Sequence, residues 1–154
     1  MRILGIDPGS RITGWGVIEW PAAYVGCGII KLPNIPLNER LPIIFKDIQS
    51  IIQKYQPECA SIEEVFLHKN PQSALKLGHA RGAAMIAVSL SHIPLFEYAP
   101  RFIKQTITGY GNADKIQMQT MIQSILKLNT KPSSDAADAL SMAICHGHCQ
   151  KITI

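Results

Sequence analysis

The sequence predicts an α/β fold in which helices cover both faces of a mixed β-sheet. Three short apolar runs, at residues 2–7, 12–20 and 24–32, follow one another with brief connections, as in an antiparallel meander. Two later apolar runs, at 59–63 and 93–98, are each preceded by a segment with helical periodicity. Because strands joined by helical crossovers run parallel, the complete sheet is mixed and needs helices on both sides.

The first three strands are separated by turn signals. The run RILGID ends at Pro8-Gly9, which is typical of a buried strand followed by a turn. The runs ITGWGVIEW and YVGCGIIKL are separated by Pro21-Ala22-Ala23, a connection short enough for a hairpin. Residues 33–37 (PNIPL) are predicted to form a loop.

Helices alternate with the two later strands. An amphipathic helix is predicted over 38–55, with Pro57 just beyond its end. A fourth strand (CASIE) is followed by a long helix over 71–91. After the fifth strand (IPLFEY) the chain is helical, with a Gly-rich break at 109–111. The last three helices are predicted at 100–107, 114–127 and 134–147.

Length and composition favour one folded domain over residues 1–154. The 154 residues are 47% hydrophobic and 17% charged, which argues against disorder. No run approaches the ~18 apolar residues of a membrane span, and the first residues do not resemble a signal peptide. We therefore expect a cytoplasmic protein. The spacing of its four cysteines matches no zinc-binding motif, so we expect reduced, unpaired thiols.

The charge distribution permits a polyanionic partner without requiring one. The formal net charge is +4. Residues 67–131 contain eight of the Lys and Arg residues and only two acidic residues, so positive charge concentrates in the middle of the chain. The acidic residues lie mainly in the flanking parts.

Carboxylates follow two of the predicted strands. Asp7 ends the first strand, and in open α/β sheets ligands bind at the carboxyl ends of the strands. Glu63 ends the fourth strand, and Glu64 comes directly after it. Because side chains alternate between the faces of a strand, these two glutamates cannot both point into one site, and alternation alone does not choose between them.

Two further carboxylates lie near the start of the last helix. Asp135 and Asp138 are three residues apart, which places both on one helix face, and Ser133 or Ser134 can cap this helix. Converging carboxylates repel one another unless cations neutralise them, and an all-oxygen ligand set favours Mg²⁺ or Mn²⁺, with up to two ions per subunit. A paired metal site of this kind suits hydrolysis of a phosphodiester.

Four stretches of the sequence resemble the RuvC family of Holliday-junction resolvases. In chain order they are LGIDPGSRITGWGVI, IEEVFLHKNPQSALKLGHARG, FEYAPRFIKQTITGYGNADKIQ and DAADALSMAI. The resemblance implies an RNase H-like fold with three antiparallel strands followed by two parallel ones. It also implies a homodimer that cuts four-way junctions with two symmetric nicks in recombination and repair. The nicks would leave 5′-phosphate and 3′-hydroxyl ends, and the RuvA–RuvB branch-migration complex is the expected partner.

The resemblance also assigns roles to individual residues. The catalytic and metal-binding acids would be Asp7, Glu63, Asp135 and Asp138, so that Glu63 rather than Glu64 belongs to the site. Lys104 and Lys115 would support DNA binding and catalysis, and Phe66 would stack on bases at the junction centre. The remaining DNA-binding candidates are Lys69, Lys76 and Arg81.

A stripe of small residues marks the long middle helix. Ala74, Gly78 and Gly82 recur at a spacing of four, where another backbone could approach closely. The stripe could pack against the protein's own sheet, and the resemblance points to this helix as part of the dimer interface. The two interpretations are compatible.

Three other functions are compatible with part of the sequence. Actin-like ATPases and sugar kinases also begin with a strand, an aspartate and a glycine, but they need two such domains and 154 residues cannot supply both. A RuvC-like nuclease that processes ribosomal RNA ends shares the early aspartate and the fold. A non-catalytic module that binds branched DNA would not depend on Asp7.

Overall fold

The computed structural model describes residues 1–65 and 70–150, which contain five strands and five helices. In chain order the elements are β1 (Arg2–Asp7), β2 (Ile12–Glu19), β3 (Ala23–Lys31), α1 (Leu37–Tyr55), β4 (Cys59–Glu63), α2 (Pro71–Leu90), β5 (Leu95–Tyr98), α3 (Pro100–Thr108), α4 (Lys115–Ile125) and α5 (Ser134–Gln150).

The strands form one sheet in the order β3-β2-β1-β4-β5. β1 pairs antiparallel with β2, and β2 pairs antiparallel with β3. β4 lies parallel to both β1 and β5. The predicted mixed sheet, with three antiparallel strands followed by two parallel ones, is therefore confirmed. Since Ile6 pairs with Ile62, the carboxyl ends of β1 and β4 lie side by side at one edge.

The alternation of side chains along β1 separates two hydrophobic cores. Leu4 and Ile6 are fully buried on the face that α1 and α2 cover. Ile3 is fully buried on the other face, against residues of α3, α4 and α5. The prediction of helices on both faces of the sheet is confirmed.

The predicted bounds of the helices and strands differ from the observed ones by a few residues at their ends. β5 begins at Leu95 rather than at residue 93, after Pro94, whose carbonyl accepts a hydrogen bond from the Ala60 amide at 2.9 Å. α4 ends at Ile125 because Leu126 caps it and Lys127 adopts a left-handed φ of 52°. α5 continues to Gln150, beyond the predicted residue 147.

The four cysteines are unpaired, and the two histidines of α5 pack against aromatic side chains. All four cysteines are free thiols, as predicted. The buried His146 ring is 2.7 Å from the Tyr98 hydroxyl through Nδ1 and stacks on Phe96, and burial lowers its pKa. His148 packs edge-on against Trp20.

None of the helices in the described part of the chain has the length and apolarity needed to cross a bilayer.

Candidate active site

Asp7 sits where β1 gives way to a tight turn. It pairs in register with Gly14 of β2 and is followed by Pro8 and Gly9. The Gly9 amide donates to the Thr13 hydroxyl at 3.3 Å, and this hydroxyl donates to the Gly9 carbonyl at 3.2 Å. Because Thr13 is fully buried, the turn is fixed to the sheet and Asp7 is held at its edge.

Two glycines allow α5 to lie directly on the sheet. A Cβ added to Gly5 would collide with the Ala139 carbonyl oxygen, and one added to Gly14 would collide with the Asp135 carbonyl oxygen. Any larger residue at these positions would force the helix away. This close approach brings the first turns of α5, with Asp135 and Asp138, to the edge where β1 and β4 end.

The start of α5 is capped by a serine. The Ser133 hydroxyl accepts a hydrogen bond from the Ala136 amide at 3.3 Å, so the first of the two predicted caps is the one used. The Ser134 hydroxyl is buried and has no hydrogen-bond partner among the described residues. Asp135 lies in the first turn, where the helix dipole favours a negative charge.

Three of the four predicted acids share one cavity. Asp7, Glu63 and Asp138 line a space of about 470 Å³ together with Lys104 of α3 and Lys115 of α4. Each carboxylate comes from a different element, and the two lysines come from two more. Asp135 is not among the lining residues, but its charge acts on both Asp7 and Asp138.

The electrostatics of the cavity favour protonated carboxyl groups when no cation is bound. Burial, followed by the charges of Asp138, Glu63 and Asp135, raises the pKa of Asp7 to about 8, while Lys115 acts in the other direction. Burial raises the pKa of Asp138 to about 6, against the lowering effect of Lys115 and Lys104. The pKa of Glu63 is also raised, by burial and then by Asp138, with Lys104 acting in the other direction.

The chemistry of these side chains fits a divalent cation. All the acidic donors are carboxylate oxygens, which hard cations prefer, and a bound cation would relieve their mutual repulsion. Within residues 1–65 and 70–150, no three Asp, Glu, His or Cys side chains are already arranged to hold one ion. The carboxylates that line the cavity must therefore rotate towards one another to share an ion.

The structure separates Glu63 from Glu64. Glu63 lines the cavity of about 470 Å³ that it shares with Asp7 and Asp138. Glu64 is exposed, and its amide donates a hydrogen bond to the Tyr98 carbonyl at 2.9 Å. Both residues also line a smaller adjoining cavity of about 100 Å³. A catalytic role for Glu63, which the family resemblance implied, stays a prediction.

The other predicted DNA-binding residues have different surroundings. Lys115 is exposed at the first position of α4, where the Asp114 side chain accepts from the Gln117 amide at 2.8 Å. Lys76 is exposed on α2. The side chain of Arg81 is only 14% exposed and forms an ion pair with Glu97. Phe66 and Lys69 lie outside the described residues.

Sequence reasoning missed the residues that let the elements approach one another. Gly5 and Gly14 carry no chemistry, yet they determine where α5 lies on the sheet. Glycines inside strands are unusual because they weaken a strand, and this was the available signal. Ser141, which also lines the cavity, is fully buried and donates to the Ala137 carbonyl at 2.7 Å.

Comparison of the sequence with known families gives a match over most of the chain. Residues 3–146 match the family model described as "Crossover junction endodeoxyribonuclease RuvC". The protein of that name from Pseudoalteromonas translucida is 49% identical over 152 residues, which cover 97% of this chain and 87% of the relative. The one from Pasteurella multocida is 54% identical over 149 residues, covering 95% of this chain and 78% of the relative.

Solved structures with the same arrangement include two of a thermophilic relative. Thermus thermophilus RuvC is 31% identical with a TM-score of 0.87, and its structure in complex with a Holliday junction substrate is 30% identical with a TM-score of 0.91. Each covers 99% of this chain and 96% of its own. The yeast mitochondrial Holliday junction resolvase Ydc2, at 10% identity and a TM-score of 0.71, shares the fold. Since the family match and the relatives extend over nearly all of its length, the chain belongs to the RuvC family of crossover junction endodeoxyribonucleases.

Proposed function

We propose that the protein resolves four-way DNA junctions in recombination and repair, by hydrolysing one phosphodiester bond in each of two opposed strands. The observation that carries the proposal is the shared cavity, where the partly buried carboxyl groups of Asp7, Glu63 and Asp138 meet Lys104 and Lys115. The Thermus thermophilus RuvC structure with a Holliday junction substrate supports the choice of DNA. We expect 5′-phosphate and 3′-hydroxyl ends, which follow from breaking the bond between phosphorus and the 3′ oxygen.

Membership of this nuclease family implies dependence on a divalent metal ion. We propose Mg²⁺, with Mn²⁺ as a substitute, and up to two ions per subunit. Asp7, Glu63, Asp135 and Asp138 would hold them, because carboxylate oxygens are the ligands that these ions prefer. When bound, such an ion lowers the pKa of water and stabilises the leaving oxygen.

The acidic and the basic side chains of the cavity have different roles in the reaction. The carboxylates orient water by accepting its hydrogen bonds. Lys104 and Lys115 place ammonium groups beside the scissile phosphate, where they stabilise the negative charge that develops on its oxygens. Burial of the cavity strengthens both effects because solvent screens them less.

Members of the family act as dimers, and we propose that the groove between α1 and α2 is the interface. Leu41, Phe45, Leu75 and Ile86 contribute to an apolar groove of about 760 Å³. Leu75 is 64% exposed and Ile86 56% exposed, which is unusual for side chains of this type in a monomer.

The stripe of Ala74, Gly78 and Gly82 lies along this groove. No described atom lies within 4 Å of a Cβ placed on Gly78 or Gly82, so a partner backbone could come close there. The residues of α2 that pack against the protein's own sheet are different ones. They are Ala80, Ala84, Ala87 and Val88.

Binding of the junction is proposed to rest mainly on phosphate contacts. Lys104 and Lys115 contact DNA at the cleavage site, while Phe66, Lys69 and Lys76 extend the contact surface. Affinity that depends on phosphate contacts falls steeply with salt, because each neutralised phosphate releases counterions. Cooperation with the RuvA–RuvB complex stays a prediction from the family resemblance.

The decisive experiment presents a synthetic mobile four-way junction to the protein with Mg²⁺. We expect paired nicks in opposed strands, and linear duplex of the same sequence should remain intact. Asp7→Asn should abolish nicking and leave junction binding largely unchanged.

Three outcomes would contradict the proposal. A protein that binds the junction tightly but never nicks it, with Mg²⁺ or Mn²⁺, would be a binding module. Equal nicking by wild type and Asp135→Asn would remove the acid cluster from catalysis. Cleavage confined to RNA would instead favour a nuclease for ribosomal RNA ends.

A further inference from the structure

Arg81 of α2 uses all three guanidinium nitrogens in contacts within the protein. Its Nε donates to the Glu63 carbonyl oxygen at 3.3 Å. One terminal nitrogen donates to the Glu97 carboxylate, and the other lies 3.1 Å from the Met85 sulfur. With 14% of its side chain exposed, Arg81 is largely shielded from solvent and from any ligand that binds at the surface.

These contacts join three elements at the edge of the sheet that carries the acids. Glu97 lies on β5 and pairs in register with Ile62 of β4, one residue before Glu63. Arg81 therefore connects α2 to β5 through an ion pair and to the end of β4 through a backbone hydrogen bond. Charge-assisted bonds of this kind are the stronger ones, and the planar guanidinium can hold several acceptors in fixed directions.

The end of β4 is the point where such a bond has most effect. Glu63 is the last residue of the strand. Pairing of β4 with β1 ends one residue earlier, at Ile62, whereas Glu63 still pairs with Tyr98 of β5. The small cavity of about 100 Å³ lies beside it, lined by Arg81, Asp7 and Glu63 among others. Backbone rotation at Glu63 would swing its carboxylate relative to Asp7 and Asp138.

We infer that Arg81 is a positioning residue: anchored by Glu97, it holds the Glu63 carbonyl and so fixes the direction of the Glu63 carboxylate in the shared cavity. The inference rests on the proposed function, since it assumes that Glu63 helps to hold the metal ion. It replaces the sequence-based expectation that Arg81 contacts DNA. Residues that orient metal ligands in this way commonly change metal affinity or activity about 10- to 100-fold when altered.

The test compares four variants of the full chain. Arg81→Met removes every contact of the guanidinium, and Glu97→Gln removes only the charge that anchors it. Lys46→Met is the matched control, because it deletes an exposed positive charge from a helix, α1, at a position that lines neither the cavity nor the groove. Glu63→Gln tests the proposed ligand itself. Circular dichroism and thermal melts establish whether each variant is folded. If Arg81→Met does not fold, Glu97→Gln decides the test, because the Glu97 side chain is 45% exposed.

Three measurements separate positioning from DNA contact. Calorimetric titration of the metal-free protein with Mn²⁺ should show affinity about 10-fold weaker or more in Arg81→Met, weaker to a lesser degree in Glu97→Gln, and within twofold of wild type in Lys46→Met. Junction affinity without metal, and its dependence on salt, should be unchanged in Arg81→Met. Nicking at saturating junction should fall in parallel with metal affinity.

The outcomes distinguish failure of the inference from failure of the proposed function. Wild-type Mn²⁺ affinity in both Arg81→Met and Glu97→Gln, together with an inactive Glu63→Gln, overturns the positioning role and leaves the proposed site standing. A salt slope reduced by about 0.9 in Arg81→Met would make Arg81 a phosphate contact instead. Normal nicking by Glu63→Gln would remove Glu63 from the proposed site and overturn the inference, whereas only a wild-type protein that fails to nick the junction would overturn the proposed function.

Discussion

At the scale of single residues, Asp7 of the proposed site lowers the free energy of unfolding of the metal-free protein. Its pKa rises from 3.8 to about 8 because the carboxyl group is buried among other acids. Between these two pH values the folded protein holds a proton that the unfolded chain releases. Stability without metal therefore decreases as pH rises through this window.

Replacing Asp7 should stabilise the metal-free protein. Asp7→Asn removes the cost of a buried charge, so we expect a Tm gain of at least about 2–4 °C at pH 8, equivalent to about 1 kcal/mol. The gain should vanish near pH 4, where the wild-type carboxyl group is also protonated. Differential scanning calorimetry in EDTA measures both values.

Excess Mg²⁺ provides the control for this prediction. Because the ion binds the folded wild type, it should reduce the difference between the two proteins. A variant less stable than wild type at pH 8 in EDTA would show that Asp7 contributes favourable contacts in the absence of metal.

The residues of the candidate site were predictable to different degrees. Asp7 could be placed at a strand end because a short apolar run and a Pro-Gly turn enclose it. The choice between Glu63 and Glu64 needed the family resemblance, since alternation gives only a relative direction. The contacts of Arg81 with Glu63 and Glu97 could not be foreseen, because they join positions 18 and 16 residues away whose distance only the folded chain sets.

At the scale of elements, the position of α5 on the sheet is the feature that assembles the site. Gly14 allows the Asp135 backbone to approach β2, and Gly5 does the same for Ala139 on β1. The type and order of the elements followed from periodicity and from turn residues. The close contact did not, because a glycine in a strand does not indicate which element will pack against it.

A methyl group at Gly14 should therefore damage both stability and activity. Gly14→Ala forces α5 away from the sheet, and overpacking of this kind costs about 1–3 kcal/mol. We expect a Tm lowered by several degrees and a loss of nicking greater than the loss of folded protein. Thermal melts and single-turnover assays on one preparation make the comparison.

Gly78→Ala is the matched substitution for this prediction. Its added methyl group meets no described atom within 4 Å, and alanine favours a helix by about 1 kcal/mol over glycine. At protein concentrations low enough to dissociate the proposed dimer, its Tm should not fall. Equal behaviour of the two variants would mean that close packing of α5 does not determine the site.

At the scale of the whole molecule, the proposed dimer interface in the groove between α1 and α2 would determine whether two sites can act on one junction. Leu75→Glu and Ile86→Glu place charges in the groove, so each should dissociate the dimer. The monomer should nick single strands without pairing the two events. Analytical ultracentrifugation and a junction that reports both strands measure these effects.

Leu90→Glu is the control for the groove. Leu90 lies on the same helix and is 59% exposed, but it does not line the groove. This variant should remain dimeric and produce paired nicks. A dimer that survives both groove substitutions would place the interface elsewhere on the surface.

The raised pKa values of the buried acids also imply that cation binding is an exchange reaction. Near neutral pH, Asp7, with a pKa of about 8, carries a proton, and Asp138, with a pKa of about 6, is mostly ionised. Uptake of Mg²⁺ should thus expel about one proton per site at pH 7, and apparent affinity should rise up to tenfold per pH unit between pH 6 and 8. Calorimetry in buffers of different ionisation enthalpy would measure the number of protons released on Mg²⁺ binding. Asp7→Asn should release almost none. At lower pH, protons would therefore compete with Mg²⁺ for the carboxylates.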